Sequence, residues 1–154
     1  LFRSIYHFAS KEGLVLELAR DLLTAFRTDL ANQLDPDDTT PGRLTRAYLR
    51  TLLTPAEDET AARETIALIT QLMTIPAVAD LARREAEALQ ADLDADGLPS
   101  DVLALVISAA DGIGSAPLWG ARSDSPEHHQ LISRLTEITR RPHLWQDLPW
   151  TSPG

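Results

Sequence analysis

Ser4-Ile5-Tyr6-His7-Phe8-Ala9-Ser10-Lys11-Glu12-Gly13-Leu14 joins an aromatic-rich segment to a helix start, and Lys11 is the only lysine in the chain. Ser10 suits the N-cap position, because its hydroxyl can accept an amide proton that the first helical turn leaves without a partner. Lys11 and Glu12 then open a helix whose apolar stripe is Leu14, Leu18, Leu22, Phe26 and Leu30. Tyr6, His7 and Lys11 bring a hydroxyl, an imidazole and an ammonium close to that helix N-terminus, a set suited to phosphate contacts. The competing reading is an ordinary corner between helices, with Phe8 buried and Lys11 solvated.

Beyond Leu30 the same pattern recurs: an apolar stripe at helical spacing, closed by Pro, Gly or Asp. Asp35-Pro36-Asp37-Asp38 ends the first helix, and Thr40-Pro41 starts a short one with Leu44, Tyr48 and Leu52 on one face. Thr54-Pro55-Ala56-Glu57 has capping-box spacing with Pro at the first helical position. The helix after it carries Ile66, Leu68, Ile69, Leu72, Met73 and Ile75, apolar on most sides of its second half, which predicts a helix enclosed by its neighbours. Pro76 breaks it, since proline has no N–H and disfavours a helical residue before it. The next helix turns Val78, Leu81, Leu89 and Leu93 inward and Arg83, Arg84, Glu85 and Glu87 outward, and Asp96-Gly97 stops it.

Pro99 and Asp101 suit the first turn of a helix bearing Val102, Leu103, Val106, Ile107, Ala110 and Ile113. Ser125-Pro126-Glu127 begins the last long helix, with Leu131, Ile132, Leu135 and Ile138 along it and Arg140-Arg141 at its negative end. The tail from Pro142 to Gly154 holds Trp145 and Trp150 and is expected to lie against the body without regular structure. No period-2 alternation is sustained, so the expected fold is all-α. A chain of 154 residues suffices for one core.

Composition excludes several chemistries. Cysteine is absent, which removes disulfides, thiolate metal sites and cysteine nucleophiles. No glutamate has a histidine three positions later, so a di-iron bundle is ruled out. His128 and His129 are adjacent, and adjacent helical residues point about 100° apart, a poor grip on one ion. Gly112-Ile113-Gly114-Ser115 lacks the spacing and strand-then-helix setting of a dinucleotide loop. The expectation is therefore no metal, no cofactor and no enzymatic activity. No apolar run approaches the ~20 residues that cross a bilayer, and no basic-then-apolar leader opens the chain, so no membrane partner and a cytoplasmic location are expected. The formal net charge is -9, yet residues 1–27 carry four cations against three carboxylates, a net of +1. The remaining -10 would repel DNA, so any DNA contact belongs to the N-terminal end or to residues before it.

The opening segment resembles the end of the DNA-binding domain in TetR-type bacterial transcription regulators. In that family a recognition helix closes on a Tyr/His/Phe cluster, and a Ser-Lys-Glu turn opens the helix leading into the ligand domain. Asp96-Gly97-Leu98-Pro99, Val102-Leu103-Ala104-Leu105, Ala109-Ala110-Asp111-Gly112-Ile113 and Leu118-Trp119-Gly120 are similar to the segment entering the family's penultimate helix. The resemblance runs from Ser4 to about Arg141. It implies a helix-turn-helix remnant over 1–12, a helical ligand-binding and dimerisation domain over 13–141, and an irregular tail over 142–154. It also implies a homodimer on operator DNA, with Tyr6, His7 and Lys11 on phosphates and repression relieved by a small, largely apolar effector.

Two departures stand out. Nearly all of the family's DNA-binding head is absent before Phe8, and Pro117 sits where the penultimate helix would continue, so that helix should end early or bend. Leu1-Phe2-Arg3 resembles the close of the head's first helix. Arg3 and Ser4 are therefore expected not to be neighbours in the natural polypeptide, whereas a bonded pair would place its alpha carbons about 3.8 Å apart.

The two binding surfaces follow from the pattern. Short helices crossing a central apolar one leave a gap, with expected walls of Leu49, Leu52, Ile66, Ile69, Met73, Val106 and Ile107 and polar anchors Tyr48, Thr70 and Asp111. The competing reading is that these residues fill a solid core. The helix around 100–116 has an apolar face too wide for one partner. Val102, Leu105, Ala109 and Ile113 are therefore expected to meet Leu131, Ile132, Leu135 and Ile138 of both chains in a dimeric four-helix bundle. Two other readings remain: a helical dimerisation or ligand-binding module with no DNA-binding activity of its own, and a cofactor-free enzyme, for which no nucleophile-and-base pair stands out.

Overall fold

A computed structural model describes residues 11–53, 59–120 and 125–149. Among them the chain is helical without a strand: α1 (Lys11–Asn32), α2 (Arg43–Leu53), α3 (Glu59–Leu72), α4 (Pro76–Asp94), α5 (Ser100–Ser115), a 3-10 turn (Ala116–Trp119), α6 (Pro126–Arg140) and a single-turn α7 (His143–Gln146). The all-α expectation holds. The Tyr6-His7 segment, the Ser10 cap, the Arg3–Ser4 junction, the Thr54–Glu57 capping box and Trp150 lie outside the described residues.

The α2/α5 pair forms the centre. Ala47, Tyr48 and Leu49 of α2 meet Val102, Leu103, Val106, Ala110 and Ile113 of α5, and Leu30, Leu93, Leu98 and Leu135 close the cluster from four sides. A smaller cluster of Ala19, Leu72 and Val78 joins α1, α3 and α4. The segment Ser100–Trp119 is long and apolar enough to cross a membrane by length and composition, contrary to the expectation that no run comes close. Five buried residues on α5 account for that apolarity, because this helix is the spine of the main core.

Three elements differ from their sequence reading. On α1, Leu14 and Leu18 are exposed, while Ala19 and Leu30 are buried and Val15, Leu22 and Phe26 are half-buried. A stripe spaced by four at every step drifts about 40° each time, so the buried face mixes steps of three and four instead. On α3, Leu68 and Ile69 are 42–43% exposed, as is Met73 just beyond its end, and among its described side chains only Leu72 is buried, so this helix lies at the edge rather than inside. The tail, expected to be irregular, forms α7, whose Trp145 packs against the main core. Elsewhere the expectations hold: Pro117 falls in the 3-10 turn that ends α5, and the Ser125 hydroxyl caps α6 by accepting from His128 N at 3.2 Å.

The start of α2 is fixed from a distance. Gly42 occupies its N-cap position at φ 84°, where an added Cβ would come within 2.9 Å of Leu98 and Arg46. Glycine has no side chain to cap with, and Asp96 supplies the cap instead: its carboxylate accepts from Leu44 N at 2.9 Å, Thr45 N at 2.7 Å and the Thr45 hydroxyl at 2.8 Å. One turn further on, Arg46 is wholly buried. Its guanidinium donates to both oxygens of Asp38, at 2.7 and 3.0 Å, and also to Pro41 O, Thr40 and the Thr139 hydroxyl of α6. The Arg46 guanidinium and the Thr40 hydroxyl hold the Asp38 carboxyl well below the usual carboxylate range. Every described buried side-chain nitrogen and oxygen has a hydrogen-bond partner.

Candidate ligand groove

Pro76 opens α4 with Ile75 as an extended N-cap residue, and the chain bends by 110° between α3 and α4. Residues 73–75 close the corner with backbone bonds to Ile69, Gln71 and Leu72. Two helices splayed this far cannot pack along their lengths, and α1 lies across the opening. Ala19, Leu22, Leu23 and Phe26 of α1 form one wall of the groove. Ile69 and Leu72 of α3, with Met73 just after it, form the second, and Val78 and Ala82 of α4 the third. The two alanines keep the corner open where larger side chains would fill it. The resulting volume is about 180 Å³, and each side chain around it is apolar.

The groove reaches the main core through one ring. Phe26 stands edge-on to Tyr48, with ring centroids 6.1 Å apart and an interplanar angle of 80°. The Tyr48 hydroxyl donates to Asp111 Oδ1 on α5 at 2.6 Å. Burial, and then the hydrogen bond to Asp111, push the Tyr48 phenol above the ordinary tyrosine range, so it remains a donor.

The expected walls therefore divide between two places. Leu49 and Val106 are buried in the main core, with Leu52 and Ile107 packed against it. Ile69 and Met73 line the groove, and Ile66 is half-buried. None of the three expected polar anchors lines the groove: Tyr48 and Asp111 bind each other, and the exposed Thr70 donates to Ile66 O at 2.9 Å. Sequence reasoning missed the α1 and α4 walls. Ala19 and Ala82, small residues on otherwise bulky faces, were the available signal.

The other expected residues also divide. Lys11 is the exposed first residue of α1. On the expected dimer helices, Val102, Ile113 and Leu135 are buried within the subunit, and Ile138 packs on the same core. Leu105, Ala109 and Ile132 are half-buried and Leu131 is exposed. Trp119 stands 82% exposed beyond the end of α5, and a Cβ added to Gly112 would meet nothing within 4 Å. Among the described residues no group of three or more His, Asp or Glu side chains could hold a metal.

In comparison with known families, the model of the tetracyclin repressor-like C-terminal domain matches residues 42–140. No curated protein and no solved structure matches the chain.

Proposed function

Because the chain belongs to the family of tetracyclin repressor-like C-terminal domains, we propose that it is the sensing and dimerising part of a cytoplasmic, one-component transcription regulator. A small effector binds the groove between α1, α3 and α4, and a two-fold dimer carries a pair of N-terminal heads onto operator DNA. The observation that carries this reading is the place of the groove on α1. Ala19, Leu22, Leu23 and Phe26 lie midway along a 22-residue helix, about 33 Å long at 1.5 Å per residue. The N-terminal end of that helix bears Lys11, four residues after His7 and five after Tyr6 in sequence. A ligand that favours one tilt of α1 over another changes the population of head spacings that fit the operator, by no more than its difference in affinity for the two. Repression relieved by the effector is the sign we assign.

Ile69→Trp should fill the groove. In the full-length regulator this variant is expected to keep its operator affinity and to lose the effector's influence on it, read by fluorescence anisotropy of labelled operator DNA. An unaltered effector response would place the sensing site elsewhere.

For the dimer, the surface still available on α5 and α6 runs through Leu105, Ala109, Gly112, Leu131 and Ile132. We propose that these residues meet their copies in an isologous contact burying ~1,200–2,000 Å² or more in total. Sedimentation equilibrium should give a dimer at micromolar concentration. The double variant Ala109→Asp, Leu131→Asp should be monomeric with helical content retained, since four carboxylates would then crowd one apolar contact. A monomeric parent chain over the same range would overturn the proposal.

A further inference from the structure

We infer that the groove takes an uncharged ligand without hydrogen-bonding groups, of the size of a one-ring aromatic hydrocarbon. The inference rests on the groove being the sensing site, and it specifies what that site selects. Size comes first. About 180 Å³ falls below the ~300–1,000 Å³ usual for drug-sized ligands and close to the ~150 Å³ of an engineered apolar cavity that binds benzene in another protein.

Chemistry narrows it further. No side chain lining the groove offers a donor or an acceptor, and at the α3–α4 corner the carbonyls of Ile69, Gln71 and Leu72 already accept from residues 73–75. A ligand hydroxyl or carboxylate turned toward the lining would lose its water and gain no partner, so a polar group is tolerated only at the open side, where Ile69 and Met73 are 43% exposed. On the other side of Leu23, a neighbouring cleft holds Arg20 and Arg27 with Thr24, Leu81 and Glu85. Both are already paired: Arg20 with Glu17 at 3.0 Å, and Arg27 with Asp92 at 3.1 Å and Glu85 at 3.8 Å. A fatty acid or aromatic acid would therefore find both guanidiniums of that cleft already engaged. Phe26 and Met73 favour an aromatic ring over an alkane of equal size, through an edge contact and a sulfur contact respectively.

Met73 is the chain's only methionine, so a ¹³C-methyl-methionine label gives one resonance that reports from the groove wall. Titration of the chain with toluene should shift that resonance saturably. Phenol and benzoate should bind at least about tenfold more weakly, as expected for burying a polar group without a partner. Ala82→Leu should abolish the toluene shift, and circular dichroism should confirm that the variant remains folded. Ile69→Trp supplies a second filled groove from the opposite wall. Benzoate or octanoate binding as tightly as toluene would overturn the ligand class and leave the sensing role standing. Absence of saturable binding by all four compounds would overturn the inference altogether. Toluene binding that leaves the operator affinity of the full-length regulator unchanged would instead overturn the regulatory reading and leave the ligand class intact.

Discussion

Asp38→Ala is expected to destabilise the chain by about 3–5 kcal/mol, the cost of leaving one member of a buried ion pair uncompensated. Asp38 and Arg46 have side chains only 4% and 0% exposed, so water cannot replace the lost carboxylate. The remaining acceptors around Arg46, from Thr40, Pro41 and Thr139, are all neutral. Arg140 also approaches Asp38, at 3.7 Å, so the substitution removes the counter-charge shared by two guanidiniums. Against a typical domain stability of ~5–15 kcal/mol, such a loss is large. Urea unfolding followed by circular dichroism measures it, and a change below about 1 kcal/mol would show that Arg46 finds other compensation. The pair also sets an acid limit. The native carboxyl titrates below the unfolded one, so its stabilisation is complete above about pH 5 and is lost as the pH falls toward the lowered native value. The stability gap between parent and Asp38→Asn should accordingly be widest near neutrality and should narrow steadily in acid.

Asp96→Ala should cost about 2–4 kcal/mol. Part is the lost helix cap, typically ~1–2 kcal/mol. The rest is the buried Thr45 hydroxyl, which would be left without its acceptor at ~1–3 kcal/mol. Asp96→Asn keeps one oxygen but turns an amide donor toward a backbone N–H, so about half of the loss should be recovered. Full recovery by Asn would mean that one accepted bond suffices. The same urea titration separates the two variants.

Helix identity was legible wherever apolar periodicity ran between clear punctuation, as from Pro76 to Gly97 or from Ser125 to Arg140. The Pro117 interruption was legible for the same reason, because proline acts within its own helix. What could not be read depends on partners distant in sequence. Arg46, in the middle of a short helix, has the spacing of a solvated residue, and its contact with Thr139 spans 93 positions. Asp96 read as a helix stop, and nothing local reveals that its carboxylate serves residues 51 and 52 positions earlier. The second half of α3 is as apolar as a buried helix, yet the 110° bend leaves it at an edge. This moved the expected cavity: Ile69 and Met73 line a groove, while Leu49 and Val106 fill the solid core that was the competing reading.

The distant cap on α2 also bears on how the chain can be made. At 11 residues, α2 is shorter than the ~12–15 at which isolated helices become even marginal in water, and it carries no cap of its own. During synthesis it leaves the ribosome about fifty residues before Asp96 does, the separation recorded in the Leu44 bond. Until Asp96 arrives, Leu44 and Thr45 have only water for their amide protons. The helix pair at the centre of the core therefore cannot be completed until the loop between α4 and α5, and α5 after it, have emerged.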